Sequence, residues 1–86
     1  MELVKVVNFR MGVWGQIVLS PGQVQTWWFT WGFNSNEWGM WDAMPDTPGC
    51  VQILDQWATD GTRWVTFKNC GTQAVAFRPK VLIATP

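Results

Sequence analysis

Two tryptophans, Trp38 and Trp41, lie in a polar stretch of the chain that spans residues 34–42. An indole ring can stack on the C–H face of a pyranose, and neighbouring amides and carboxylates can form hydrogen bonds with sugar hydroxyls. Tryptophan also loses little rotamer freedom on binding, so it offers a large contact area at low entropic cost. The sequence therefore predicts a carbohydrate site with Trp38 and Trp41 as stacking platforms. The residues expected to bind the hydroxyl groups are Asn34, Asn36, Glu37 and Asp42.

This polar stretch has two other interpretations. Trp38 and Trp41 could fold back as a lid over the open end of a small β-domain. They could also form a contact with another protein, since tryptophan is enriched in the residues that dominate protein–protein interfaces. Solvent exposure of the two rings distinguishes the lid, in which they are buried, from the other two interpretations, in which they are exposed.

The segment 23–33 offers a second candidate ring. Side chains alternate between the two faces of a strand, and on this segment one face is far more apolar than the other. The apolar face, which we expect to form the core, carries Trp27, Phe29, Trp31 and Phe33. Trp28 then points outward between Thr26 and Thr30, where it could serve as a further platform. The alternative is a strand covered on both faces, as in a central strand or a dimer interface.

The residue types argue against an enzyme and against a metal or cofactor site. The chain has no histidine, which excludes Ser-His-Asp and Cys-His catalysis and removes the commonest metal ligand. Glycosidase chemistry would need a pair of carboxylates. Glu37 and Asp42 could approach each other, but 86 residues are too few for a deep cleft. Two cysteines with no histidine make a poor zinc site, and too few oxygen ligands lie close together for calcium.

Charge and hydropathy limit the partners. Six Lys and Arg balance six Asp and Glu, so the chain has no net charge to attract nucleic acid or an anionic membrane. The basic residues towards the C-terminus could share a face, but the acids offset them and no RNA-binding motif accompanies them, so we expect no nucleic-acid binding. No run of apolar residues approaches the length needed for a transmembrane helix, about 18 residues.

Cys50 and Cys70 flank a predicted hairpin with an Asp60-Gly61 turn, which is a strong hairpin signal. In a regular hairpin, the sequence numbers of any two residues that pair across the strands add up to the same value. A three-residue loop gives a sum of 120, which places Cys50 directly opposite Cys70, whereas a two-residue loop gives 121 and a slip of one. We predict a disulfide, with two buried thiols as the alternative. Trp57 and Trp64 should be cross-strand neighbours that stabilise the hairpin.

The elements that carry these residues are predicted to be strands. Val, Ile, Thr, Trp and Phe dominate the chain, and glycine and proline interrupt it at intervals typical of strands and turns. The predicted strands are 3–10, 13–19, 23–33, 51–57, 63–69 and 73–84, with a further short strand at 38–42 and a bulge or an edge at Pro79. We therefore expect an all-β fold, a single antiparallel β-sandwich or small barrel of six to seven strands that forms one domain over residues 1–86.

The function expected from the sequence is that of a non-catalytic carbohydrate-binding module or small lectin. The first alternative is a structural or protein-interaction module in which surface tryptophans form an oligomer interface, and the second is binding to a membrane surface through exposed indoles. No secretory signal is visible in the first residues of the chain, while a disulfide favours an extracellular location.

Overall fold

A computed structural model describes residues 8–34, 37–59 and 61–85 of the chain. Every element in these ranges is a β-strand, so the fold is all-β, and no helix there is long and apolar enough to cross a membrane. The strands are β1 (Asn8–Val13), β2 (Ile17–Leu19), β3 (Val24–Thr30), β4 (Trp38–Asp42), β5 (Val51–Thr59), β6 (Thr62–Asn69), β7 (Val75–Phe77) and β8 (Lys80–Thr85).

The two halves of the chain pair with each other in a nested antiparallel arrangement. β1 pairs with β8, β2 with β7 and β3 with β6, so that residues 8–30 run alongside residues 62–85 in the opposite direction. The two strands from the middle of the chain add to the outside, β4 next to β8 and β5 next to β6. The result is three antiparallel sheets, with the orders β1-β8-β4, β2-β7 and β3-β6-β5.

The inner faces of the three sheets meet in one apolar core. Phe29 of β3 and Trp41 of β4 have ring centroids 4.5 Å apart, so the two three-stranded sheets are in direct contact across this core. The β2-β7 pair extends the core at one end, where Leu19 and Phe77 are fully buried. The buried apolar residues are Ile17, Leu19, Phe29, Phe33, Ala43, Val65, Phe67, Val75, Phe77, Val81 and Ile83. Of the four residues predicted for the core face, Phe29 and Phe33 are buried and Trp31 packs partly buried against the core. Trp27 is 39% exposed, so the prediction is wrong for this residue.

The described residues form eight strands where the sequence predicts six to seven, because one predicted strand is divided. The segment 73–84 forms two strands, β7 and β8, which belong to different sheets and are separated by Arg78 and Pro79. Proline has no backbone N–H to contribute to a ladder, so a strand breaks readily there. The carbonyl of Pro79 instead accepts a hydrogen bond of 2.9 Å from the backbone N–H of Trp14. On the partner side, β1 ends at Val13 and β2 begins at Ile17, and the predicted first strand extends back to residues that lie outside the described ranges.

The predicted disulfide between Cys50 and Cys70 is present, with Cα atoms 5.3 Å apart. The register that aligns the two cysteines has a different origin from the expected three-residue loop. Thr59 pairs with Thr62, which leaves a two-residue loop and a sum of 121, and Trp57 pairs with Trp64 in the same register. A β-bulge at Leu54 then shifts the ladder, so that Ile53 pairs with Phe67 and the sum becomes 120.

Candidate functional site

Trp38 and Trp41, the two expected stacking platforms, lie on opposite faces of β4. Trp38 is on the outer face and is 75% exposed. Trp41 is on the inner face, where its ring packs against the core and lies 5.4 Å from the ring of Trp14. β4 is a regular strand, and alternation along a strand separates two side chains three positions apart. The structure therefore does not bring the two rings together.

Glu37, expected to bind a sugar hydroxyl, is engaged within the fold. Its side chain is 4% exposed and forms a two-oxygen ion pair with Arg10, with contacts of 3.0 and 3.3 Å. The backbone N–H of Asn34 and the hydroxyl of Thr85 also donate to this carboxylate. Burial raises the pKa of the Glu37 carboxyl, but these hydrogen bonds and the Arg10 charge outweigh burial and hold the pKa below its usual value. The residue ties the start of β4 to β1 and β8.

Arg10 extends this network across the end of the sandwich. Its guanidinium lies 4.3 Å from the centroid of the Trp31 ring and donates to the Trp31 carbonyl at 2.8 Å. Arg63 approaches the other aromatic ring at this end, with its guanidinium 5.0 Å from the centroid of Phe33, and donates to the carbonyl of Asn34. Cation–π contacts of this kind hold the chain after β3 in place.

The remaining polar residues of the predicted site are dispersed. Asn34 is exposed, but its backbone groups serve Glu37 and Arg63. Asp42 is exposed on the outer face at the end of β4, and its carboxylate accepts a hydrogen bond from the backbone N–H of Met44. Asn36 lies outside the described residues. The described residues of the predicted site therefore do not converge on one surface.

Trp28, the predicted further platform, does point outward and is 61% exposed. On the outer face of the β3-β6-β5 sheet it pairs directly with Trp64, which in turn pairs with Trp57. We call these three residues the tryptophan row. The Trp28 and Trp64 ring centroids are 6.0 Å apart with planes inclined by 42°, and those of Trp64 and Trp57 are 5.8 Å apart with planes parallel to within 1°. Offset stacking between aromatic rings occurs at such distances.

Hydroxyl-bearing residues flank the tryptophan row on both sides. One neighbouring row is made only of threonines, Thr30, Thr62 and Thr59, and the other consists of Thr26, Thr66 and Asp55. Two of these groups fix their neighbours: Thr59 accepts a hydrogen bond from the indole N–H of Trp64, and the hydroxyls of Thr26 and Thr66 are 2.8 Å apart. The next row carries Val24, Lys68 and Gln52. The outer face therefore presents a line of aromatic rings between two lines of hydrogen-bonding groups.

The bulge at Leu54 is the reason that Trp57 belongs to this face. Without a bulge, alternate residues 51, 53, 55, 57 and 59 would all share one face of β5. With it, Val51 and Ile53 pack against the core, whereas Asp55 and Trp57 pair with the outward-facing Thr66 and Trp64. Trp57 is 43% exposed, and with Trp64 it also lines an open groove of about 190 Å³ between the edges of the two sheets. The other residues of the groove are Gln56, Ala58 and Arg63, with Gly39 and Trp41 of β4.

From the sequence, Trp57 and Trp64 are expected to stabilise the hairpin as a cross-strand pair. The sequence does not predict that they form a binding surface with Trp28. The hairpin register predicted that they are neighbours, and alternation predicted that Trp28 points outward. What joins the two observations is the pairing of β3 with β6, which brings Trp28 opposite Trp64 across 36 positions of sequence. No short-range signal reports this pairing.

The described part of the chain shows no cluster of three or more metal-ligating side chains. No protein-family model, curated protein sequence or solved structure matches this chain. The arrangement of its own residues is therefore the basis for a functional assignment.

Proposed function

We propose that this protein is a non-catalytic carbohydrate-binding module that holds an extended polysaccharide chain on the tryptophan row. The observation that carries the proposal is the alignment of Trp28, Trp64 and Trp57 on an exposed sheet face. Three rings in one line offer successive apolar platforms for the C–H faces of successive sugars. The flanking threonines and Asp55 offer hydroxyl and carboxylate partners at the sugar edges.

The shape of the face favours a polymer over a small molecule. Small-molecule sites are normally concave and enclose most of the ligand. The tryptophan row instead lies on an open three-stranded sheet, and it runs across the strands from β3 to β5, where it meets the groove lined by Gln56 and Ala58. A long, ribbon-like ligand can use such a surface because each ring adds a modest and repeated contribution.

The charges on this face favour a neutral polymer. Single-stranded nucleic acid also stacks on aromatic residues, but proteins that bind it add a positively charged groove. Here one row carries a single cation, Lys68, the adjacent row carries a single acid, Asp55, and no other charged residue belongs to the rows described around the tryptophans. An uncharged polysaccharide would stack on the rings and form hydrogen bonds with the hydroxyls, and it would need no oppositely charged residue on the protein.

Binding can be tested with soluble β-glucan, xylan and mannan by intrinsic fluorescence titration, and with cellulose and chitin by co-sedimentation. We expect one of these polymers to bind, and Trp28→Ala and Trp57→Ala each to weaken binding at least tenfold, which corresponds to about 1.4 kcal/mol. The matched control is Trp38→Ala, which removes an even more exposed indole from the opposite sheet and should leave the affinity within about twofold, or 0.4 kcal/mol.

Two results would overturn the proposal. One is that none of the five polysaccharides binds, and binding of single-stranded oligonucleotides at physiological salt in that case would identify nucleic acid as the ligand. The other is that the polysaccharide that binds is held equally well by Trp28→Ala. Circular dichroism of each variant would confirm that the loss of an exposed ring has left the fold intact.

A further inference from the structure

The outer face of the β1-β8-β4 sheet, on the side of the molecule away from the tryptophan row, is apolar over two complete rows. Phe9, Ala84 and Trp38 are paired across the three strands in one row. Met11, Leu82 and Met40 are paired in the next row. A third row contains Val13, Lys80 and Asp42. We call the seven apolar residues of these rows the apolar face.

The apolar face is well exposed and larger than an isolated soluble domain usually tolerates. Phe9, Met11, Val13, Trp38 and Met40 are between 59% and 75% exposed. With about 150–250 Å² for a large apolar residue, these five present roughly 700 Å² of surface. The largest apolar patch on a typical monomer is about 300–600 Å², and larger ones mark interaction sites.

We propose that a second copy of this chain covers the apolar face, so that the protein is a two-fold symmetric dimer. A stable interface of standard size buries about 800 Å² on each partner, and the apolar face supplies most of that area. A two-fold interface brings the same patch of both subunits together. An identical copy therefore presents an equally apolar surface of equal size, and two such sheets can pack about 10 Å apart with interdigitated side chains.

The charges agree with a second copy better than with a membrane. Lys80 and Asp42, the two charged residues of the third row, are direct register partners, so the end of the face has no net charge. The whole chain is also neutral, and two copies meet without net repulsion. Surfaces that attach to membranes combine apolar residues with a set of Lys and Arg residues that attract anionic lipid. The rows around the apolar face contain Lys80 alone, opposite an acid.

This inference is independent of the proposed function, because the two surfaces lie on different sheets. Sedimentation equilibrium of the full chain between about 1 and 100 μM gives the oligomeric state directly. We expect a dimer for the unmodified chain. Met40→Lys, which places a charge in the middle row, should raise the dissociation constant at least 100-fold. Met11→Ser, at the other end of that row, should raise it at least tenfold.

The matched control is Val18→Lys. Val18 is 60% exposed on β2 and lies outside the apolar face, so the same kind of strand substitution should leave the dissociation constant within about threefold.

A monomer at 100 μM would overturn the proposal. If that monomer floated with phosphatidylcholine vesicles and Met40→Lys did not, the occupant would be a lipid surface. A monomer that binds neither vesicles nor the dye ANS would indicate that the face is covered within the same chain. A dimer that Met40→Lys leaves unchanged would place the interface elsewhere.

Discussion

At the scale of single residues, Glu37 shows how a local pattern can suggest a ligand contact where the fold uses an internal one. Glu37 lies in a polar stretch of the chain directly before Trp38, and this position predicts a carboxylate that faces a ligand. In the fold its carboxylate accepts hydrogen bonds from Arg10, Asn34 and Thr85, and these come from β1, the turn after β3 and β8. A carboxylate with this many donors is held ionised, and its pKa lies below the ordinary value.

The depressed pKa predicts how stability should depend on pH. Glu37 stabilises the folded state wherever the carboxyl is ionised, so its contribution is present above the unfolded-state pKa of about 4.3 and is lost as the pH falls through the lower folded-state pKa. We expect Glu37→Gln to lower the free energy of unfolding by about 1–3 kcal/mol at pH 7, because a bonded charge is removed from beside Arg10. Below pH 4 the difference between the two proteins should shrink.

Urea denaturation of both proteins between pH 2.5 and 7 measures this difference. The control is Asp46→Asn, which neutralises an exposed carboxylate that has one long hydrogen bond of 3.3 Å, from Gln16. Its effect should stay below about 0.5 kcal/mol at every pH. A Glu37→Gln effect that is equally small at pH 7, or that grows as the pH falls, would contradict the assigned role.

At the scale of elements, one extra residue in β5 determines what the hairpin presents on each side. The bulge at Leu54 lets Ile53 face the core and Trp57 face outward on the same strand, and it brings Cys50 opposite Cys70. The two-residue turn pairs residues whose numbers add up to 121, whereas a disulfide between Cys50 and Cys70 requires a sum of 120. The bulge provides this shift of one residue within the nine residues of β5.

Deletion of Leu54 should therefore be tolerated. Ile53 would pair with Phe67 and Asp55 with Thr66 as before, now as adjacent positions of a regular ladder, so the disulfide should still form. Since Leu54 is half exposed, we expect the free energy of unfolding to change by less than about 1.5 kcal/mol. Thiol titration under denaturing, non-reducing conditions and urea denaturation report the two quantities.

Deletion of Gln52 is the matched control, because it shortens β5 by the same length on the other side of the bulge. If the cysteines stay aligned, Leu54 then pairs with Phe67 and faces the core, while Ile53 turns outward beside Lys68. We expect the disulfide to form and the free energy of unfolding to be lower than in the Leu54 deletion by about 1 kcal/mol, because a Leu side chain replaces the fitted Ile side chain in the core. Equal tolerance of both deletions, or free thiols in the Leu54 deletion, would contradict this account of the bulge.

At the scale of the whole molecule, the two proposed surfaces lie on opposite outer faces of the sandwich. A dimer formed through the apolar face would carry its two tryptophan rows on its two far sides, pointing away from each other. Such a dimer cannot place both rows on one stretch of polymer, but it can join two separate chains. We therefore expect such a dimer to cross-link polysaccharide chains. Its binding should gain avidity only where several polysaccharide chains lie close together.

The unmodified protein should thus cause turbidity with the soluble polysaccharide that it binds, and the turbidity should fall again when protein is in large excess. Met40→Lys should bind the same polysaccharide with an affinity per site within about twofold, or 0.4 kcal/mol, and cause no turbidity. Light scattering and fluorescence titration on the same samples separate the two effects. Equal turbidity with the monomeric variant would show that the rows are not linked through this face.

The sequence by itself determined the class of fold and most of the strands, because strand propensity, alternation and turn residues are local properties. It also predicted the disulfide, the outward position of Trp28 and the Trp57–Trp64 pair. Only the tertiary structure decided which strands are neighbours, and this decided the candidate site. The pairing of β3 with β6 assembled the tryptophan row, and the pairing of β1 and β4 with β8 assembled the apolar face. Strand pairing depends on contacts between residues far apart in the chain, and no local pattern records it.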